Sequence, residues 1–541
     1  MANLDDARRG QNGPRPFGAD EGPRTAGTPA AVRGAGAARG DDPFRDDGAA
    51  GAHSGGAGAH MVDSAFFRDQ FGTAELRDIF GDRGLLQAWL ETEAALARAE
   101  ASVGLIPAAA AVAISRAARA DSLDWAALKA GIDESFHPIV PVVRDLAHAA
   151  DRIAAGAGGY VHWGATTQDI MDTAAVLQVR AALEAITPDR VAIEHALAGL
   201  AAEHADTLMA GRTHGQHALP ITFGFKVAIW LAEWRRHEER LAQAQPRFLV
   251  GQLAGAAGTL AGFGPRAREV QRRFCGELGL NVPPIAWHTA RDGFAELAFI
   301  LGLLTATLGK IAREIIALQK TEVAEVAEPW APGKVGSSTM PHKRNPMICE
   351  LLVALSKLTR QEVSVALDGM IGEHERDMGS WQAEWEWMPR LCLLTGAALR
   401  YGRRVLEGLT VSPDRMAANL GLTGGAILSE AVMLRLAERV GRQQAHDIVY
   451  RIAMADEAYD GAAANAGAGR TLAERLAAAP EITDHLTAAD LAAVLDPAAY
   501  VGQAAAFARD VAGQRPQKRH ASPQDHAASP DTSPDATPPA E

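Results

Sequence analysis

The chain is poor in cysteine. Its 541 residues hold three, Cys275, Cys349 and Cys392, widely separated and in no metal-ligand spacing. That excludes a disulfide-stapled scaffold and suits a reducing compartment. Basic residues do not dominate either: 53 Lys and Arg stand against 66 Asp and Glu, a formal net charge of −13. A nucleic-acid partner needs a basic face, so none is expected. No apolar segment follows a basic region near the N-terminus, which reads as the absence of a secretory signal. Long hydrophobic runs are missing too. The most apolar stretch, from Phe294 to Leu308, is bracketed by Glu296 and Lys310. It reads as too short to span a bilayer and as a helix buried on all sides of a bundle. Strand signals are sparse and there is no internal repeat. A cytoplasmic, all-α protein without a membrane partner is the expectation.

What is present begins with length, which suggests two to four domains. Residues 1–60 are Gly, Ala, Asp, Arg and Pro with almost no large apolar side chains, and 514–541 are similar. Neither stretch offsets its ordering entropy, so both are expected to be disordered. Met61 reads as the start of the folded part. From there to 513 the pattern is helical: Leu85, Leu86, Trp89, Leu90 and Leu96 recur at threes and fours, as do Val176, Leu177, Val179, Leu183 and Ile186. Apolar stripes over 217–242 and 294–320 are long enough for bundle or oligomer core. Abundant Ala and Gly allow helices to approach closely. The expected partition is an N-terminal helical domain over 61–164, a central bundle over 165–408 and a C-terminal helical domain over 409–513. The last opens on Val411-Ser412-Pro413-Asp414, a helix-start signal.

Three polar segments are not explained by packing. The run GSSTMPHKRNP, from Gly336 to Pro346, has Met340 as its one large apolar side chain and offers hydroxyls, Lys343 and Asn345. It reads as a polar loop built to meet an anion. Thr166 and Thr167 precede a helix. One hydroxyl suffices to cap it, which leaves the second for a carboxylate at the helix N-terminus. His214 and His217 lie in GRTHGQHALP, from Gly211 to Pro220, just before a long apolar stripe. A shared metal is a rival reading there, but no further ligand of suitable spacing follows, so no metal is expected. Glu350, seven positions after Lys343, suits either a helix's first exposed turn or a partner for a histidine.

Taken together, Gly336, Ser337, Met340, Lys343 and Asn345 resemble the GSxxMxxKxN signature of the fumarase/aspartase superfamily. The strings VHWGATTQDIMDTA, GRTHGQHALPITFGF, AGAAGTLAGFG and EHERDMGSWQAEW are similar to its branch of 3-carboxy-cis,cis-muconate cycloisomerases and adenylosuccinate lyases. The resemblance implies a three-domain fold whose central five-helix bundle assembles into a twenty-helix core. It implies a homotetramer with active sites shared between subunits, a small dicarboxylate substrate and no cofactor. Its chemistry removes a proton beside a carboxylate and expels a group from the adjacent carbon, usually giving fumarate. By the same resemblance Ser337 is the base, His214 a proton-relay residue and Glu350 the carboxylate that orients it. Thr166, Thr167, Thr213, Ser338, Lys343 and Asn345 are then substrate ligands, with Arg291 and His137 as weaker candidates. The acidic residue that follows the histidine in adenylosuccinate lyases is Pro138 here, and a Gln found before the arginine in several relatives is Ala290. Both departures count against a nucleotide leaving group. The expected activity is β-elimination of a small nitrogen-linked group from a substituted succinate, with nitrosuccinate among the candidates. Carboxymuconate cycloisomerisation and adenylosuccinate cleavage are the alternatives, and an inactive structural relative is the alternative of another class. The tryptophans Trp381, Trp385 and Trp387 are expected to pack along an amphipathic helix.

Overall fold

Apolar residues spaced three and four apart become helices in the computed structural model of the chain, which describes residues 58–330, 339–377, 379–454 and 470–514. An N-terminal layer includes α1 (Asp82–Ser102), which carries the Leu86, Leu90 and Leu96 stripe inward, and α2 (Ile139–Ile153). The body is five long helices: α3 (Thr167–Glu203), α4 (Phe223–Phe248), α5 (Asp292–Leu318), α6 (Met347–Asp368) and α7 (Ser380–Glu407). Their apolar faces share one core, which α1 joins by packing on α3. A second cluster, around Val432, Leu436, Leu472 and Leu476, stands apart in the C-terminal part. The α8 helix (Pro413–Leu420) that leads into that part starts on Ser412 and Pro413, where the sequence places a helix start.

The five helices alternate in direction, so the bundle has two chemically distinct ends. Arg291, just before α5, pairs with Asp172 in the second turn of α3 and with Glu384 near the start of α7. This threonine end thus gathers the starts of α3, α5 and α7. The opposite end holds the turn between α3 and α4, where Gly224 N–H donates to His204 C=O. There α6 begins, with Ile348 N–H bonded to the Glu328 carboxylate. At 1.5 Å per residue, the 27 residues of α5 separate the ends by about 40 Å.

Glycine sets how closely α5 and α6 approach. Gly302 and Gly309 are seven apart on one face of α5, and a Cβ on Gly302 would lie 2.6 Å from Val363 Cγ2. A Cβ on Gly309 would collide with Ser356 in the same way. The apolar run at 294–308 proves to be part of this longer helix. By length and composition α5 could cross a membrane, a property that the shorter run concealed. With 72% of its most apolar window buried, it is the core helix of the bundle instead.

The all-α expectation fails at two places, and one of them bears on the site. The stripe over 217–242 does not form one helix: β1 (Leu208–Thr213) and β2 (Gln216–Thr222) pair antiparallel, and α4 begins only at Phe223. His214 and Gly215 form the two-residue turn, with φ of +52° and +80°. Left-handed backbone at both turn positions matches the twist of a tight hairpin, and Gly adopts it without strain. A second small sheet pairs β3 (Val326–Ala327) with β4 (Thr410–Val411). The fold is largely helical rather than purely so.

Candidate active site

At the threonine end, Thr166 is the N-cap residue of α3, and its backbone N–H donates to Asp169 Oδ2 at 3.0 Å. Asp169 is fully buried and also accepts from Ala254 N–H, Gly255 N–H and His288 Nε2. The start of α3 is therefore anchored from within. Neither threonine hydroxyl is used up by this anchoring. Thr166 Oγ1 accepts from Arg376 Nη1 at 2.6 Å, and Thr167 Oγ1 lies 3.1 Å from His137 Nε2. The tautomer of His137 follows from its other nitrogen, because Nδ1 accepts from Val140 N–H at 3.3 Å. Nε2 then carries the proton and donates to Thr167. Each hydroxyl accepts from its neighbour and keeps its own hydrogen to donate. Two O–H donors, a guanidinium and a helix N-terminus make a cradle for a carboxylate.

Charge in the cradle is graded. Burial, then the positive charges of Arg376 and His162, hold the His137 pKa below the ordinary histidine value. His162 behaves oppositely. Burial works against its charge, but Glu93, both as a near charge and through the 2.6 Å bond to Nδ1, lifts its pKa above the ordinary value, with Asp169 adding to this. Its backbone is left-handed, φ +60°, a conformation uncommon outside glycine. Arg291 lies deeper. Its Nη1 and Nη2 meet Asp172 at 2.8 and 3.1 Å, its Nε meets Glu384 at 2.8 Å, and the guanidinium lies over Trp287 and Phe294. Almost all its donors are engaged inside the protein, and Trp381 Nε1 closes the network onto Asp172 at 3.0 Å. Trp381 stacks edge-on against Trp385, and Trp387 is buried, so the tryptophans pack as the sequence implies.

At the hairpin end, Thr213 and His214 stand exposed at the hairpin tip. His217 is half-buried, and burial with the Arg212 charge lowers its pKa. Among the described residues no group of three or more His, Cys, Asp and Glu could hold a metal ion. Lys343 is exposed and Asn345 half-buried in the loop before α6, where Gln319 Nε2 holds the intervening Arg344 carbonyl. Glu350 is exposed in the first turn of α6, and no hydrogen bond joins it to His214 within the chain. Ser337 and Ser338 lie outside the described residues. So Thr166, Thr167, His137 and Arg291 gather at one end, and Thr213, His214, Lys343, Asn345 and Glu350 at the other.

A protein-family model described as "Lyase" matches residues 69–358, and one described as "Adenylosuccinate lyase C-terminus" matches 425–511. The chain belongs to the fumarase/aspartase superfamily of lyases. It is 43% identical over 441 residues to a 3-carboxy-cis,cis-muconate cycloisomerase of Pseudomonas aeruginosa, covering 82% of this chain and 94% of that one. It is 40% identical over 446 residues to an N-acetyl-S-(2-succino)cysteine lyase of Dickeya dadantii, covering 82% and 95%. The solved 3-carboxy-cis,cis-muconate lactonizing enzyme of Pseudomonas putida superposes with a TM-score of 0.76 at 40% identity, over 82% of this chain and 98% of that one. Likeness of this extent to working members of the superfamily makes this protein an enzyme, a fumarate-releasing lyase or a related cycloisomerase. Two residues of the lyase's cradle escape a reading of its sequence. Arg376 lies about two hundred residues from its partner Thr166, and His162 shows its role only through Glu93, far back on α1. The EHERD string was in view, but nothing in its spacing points to Thr166.

Proposed function

We propose that this lyase acts on a substituted succinate, removing a proton from the carbon beside one carboxylate and expelling a small nitrogen-linked group, such as nitro, from the adjacent carbon. The C–H electron pair becomes the new π bond of fumarate, and the leaving group departs with its own bonding pair. Ser337, acting as an alkoxide that a closed, water-excluding site stabilises, takes the proton. Lys343 and Asn345 stabilise the dianionic aci-carboxylate that forms on the way, one by full charge and one by a directed N–H. His214, oriented by Glu350, donates a proton to the departing group where that group needs one. The cradle at Thr166 and Thr167 carries the reading: it presents two hydroxyl donors and Arg376 where a substrate carboxylate fits. Arg291 holds Asp172 and Glu384 in place and so shapes the cradle from below. Pro138 and Ala290 stand where a nucleotide-cleaving relative carries other residues, which favours a small leaving group.

The cradle and the His214–Lys343 end of one chain are about 40 Å apart along α5. A complete site therefore draws on other copies packed antiparallel, which supports a homotetramer. Lactonisation of 3-carboxy-cis,cis-muconate is the second reading, favoured by the 43% identity to such an enzyme. It is the same proton transfer run in reverse, with an internal carboxylate as nucleophile. Purified enzyme is incubated with nitrosuccinate, adenylosuccinate, N-acetyl-S-(2-succino)cysteine and 3-carboxy-cis,cis-muconate, and fumarate and lactone are followed by absorbance. Fumarate and nitrite from nitrosuccinate are expected. Lactone without fumarate from any succinyl compound would overturn the first reading in favour of the second.

A further inference from the structure

Residues 319–328, between α5 and α6, touch both site-bearing pieces of the hairpin end. Glu325 is fully buried there, and the Arg212 guanidinium grips it with two bonds of 2.6 and 2.9 Å. Asn419 Nδ2 donates to the same carboxylate at 2.8 Å. Three residues on, the Glu328 carboxylate accepts from Ile348 and Cys349 N–H, the first amides of α6. The Gln319 side chain holds the backbone on both sides, accepting from Glu328 N–H and donating to Arg344 C=O. One ten-residue strut thus ties the hairpin to the loop of Lys343 and Asn345.

Arg212 is one residue from Thr213 and two from His214. Between Ala210 and Arg212 the β1–β2 register shifts. A Cβ on Gly211 would lie 2.9 Å from both Ile221 Cγ2 and Leu219 O, so the strand is crowded into a bulge there. Beyond the shift the ladder resumes only at Arg212–His217 and Thr213–Gln216, and the Arg212–Glu325 fork ties that short outer piece to the strut. A purely structural duty for Glu325, holding α8 in place, is already covered. Arg415 bonds Val323 and Glu322 carbonyls, Asn419 bonds Val323, and β3 pairs with β4. None of these needs Arg212.

We propose that Glu325 is a positioning residue for the hairpin tip: through its two-pronged grip on Arg212 it sets where Thr213 and His214 point. The inference rests on the proton-relay role given to His214 above. It is tested on whichever of nitrosuccinate, adenylosuccinate, N-acetyl-S-(2-succino)cysteine and 3-carboxy-cis,cis-muconate the wild-type enzyme turns over. Glu325→Gln and Arg212→Lys each keep hydrogen bonding but lose the charged fork. Each is expected to lower kcat about tenfold to a hundredfold in a fully assembled protein. KM should rise by less than kcat falls, because the cradle is untouched and only Thr213 among the substrate ligands shifts. In a His214→Ala background Glu325→Gln should add less than about a twofold loss, since both act through one group. Full kcat in the assembled Glu325→Gln protein, with His214→Ala strongly impaired but measurable, overturns this proposal alone. A loss that multiplies with His214→Ala overturns it too. A fully active His214→Ala protein removes the underlying reading and the proposal with it. Should Glu325→Gln fail to assemble, Arg212→Lys carries the same readings.

Discussion

Single buried groups in this lyase behave differently from their exposed counterparts, and Glu100 is the extreme. It is fully buried on α1 with neither carboxylate oxygen hydrogen-bonded, and burial, aided by the Glu93 charge, pushes its pKa up to about 9. Between the ordinary carboxylate range and that value, the folded protein keeps a proton that the unfolded chain releases. Stability therefore falls as pH rises through this window. Glu100→Gln removes the slope and should stabilise the protein at neutral pH by on the order of 2–3 kcal/mol. Chemical unfolding at a series of pH values reads this directly, and an unchanged slope would refute it. In the cradle, Arg376→Gln takes away one of the charges that depress His137. Its pKa, followed by NMR titration, should move up toward the ordinary histidine value. The same change should raise KM about tenfold or more while the fold stands, as loss of a charged carboxylate donor does.

At the scale of elements, the hairpin carries the proposed relay residue His214 on a left-handed turn. Gly215 needs φ +80°, which a β-branched side chain avoids. Gly215→Val should cost about 1–2 kcal/mol locally and misplace His214, so activity falls more than the unfolding temperature does. A variant with both unchanged would show that the turn is tolerant. The contact of α5 with α6 is tested by Gly302→Leu, whose side chain has no room beside Val363. It should lower stability by about 1–3 kcal/mol by thermal or chemical unfolding. Periodicity made the long helices readable, because a buried face repeats every three or four residues whatever lies opposite. The hairpin was hidden by the same reasoning: its apolar residues, Ala218, Leu219 and Ile221, run into the helical stripe of α4 without a gap. The His-Gly pair at the turn was the local signal for it.

For the whole molecule, the alternation of five helices decides where chemistry can occur. It sends the residues proposed for the two halves of the site to opposite ends of each chain. If neighbouring copies complete each site, then strongly impaired Thr167→Val and His214→Ala proteins, unfolded together and refolded as a mixture, should regain activity. Random mixing of equal amounts leaves about a quarter of the sites free of both lesions. No recovery in a correctly assembled mixture would mean that one chain supplies the whole site.

The residue types of the proposed chemistry come from the chain alone, because the superfamily's motifs are local: GSSTMPHKRNP, GATTQD and GRTHGQH each lie within a dozen residues. So was the helical class, since burial of one face leaves a period in the sequence. Tertiary structure alone decided the partners. Thr166 meets Arg376, His162 meets Glu93, Arg212 meets Glu325 and Arg291 is enclosed by Asp172 and Glu384. Each pair joins residues tens to hundreds apart, brought together by how helices of particular length turn back on one another. Periodicity and local spacing carry no record of that, because they describe a residue's neighbours along the chain and not across it.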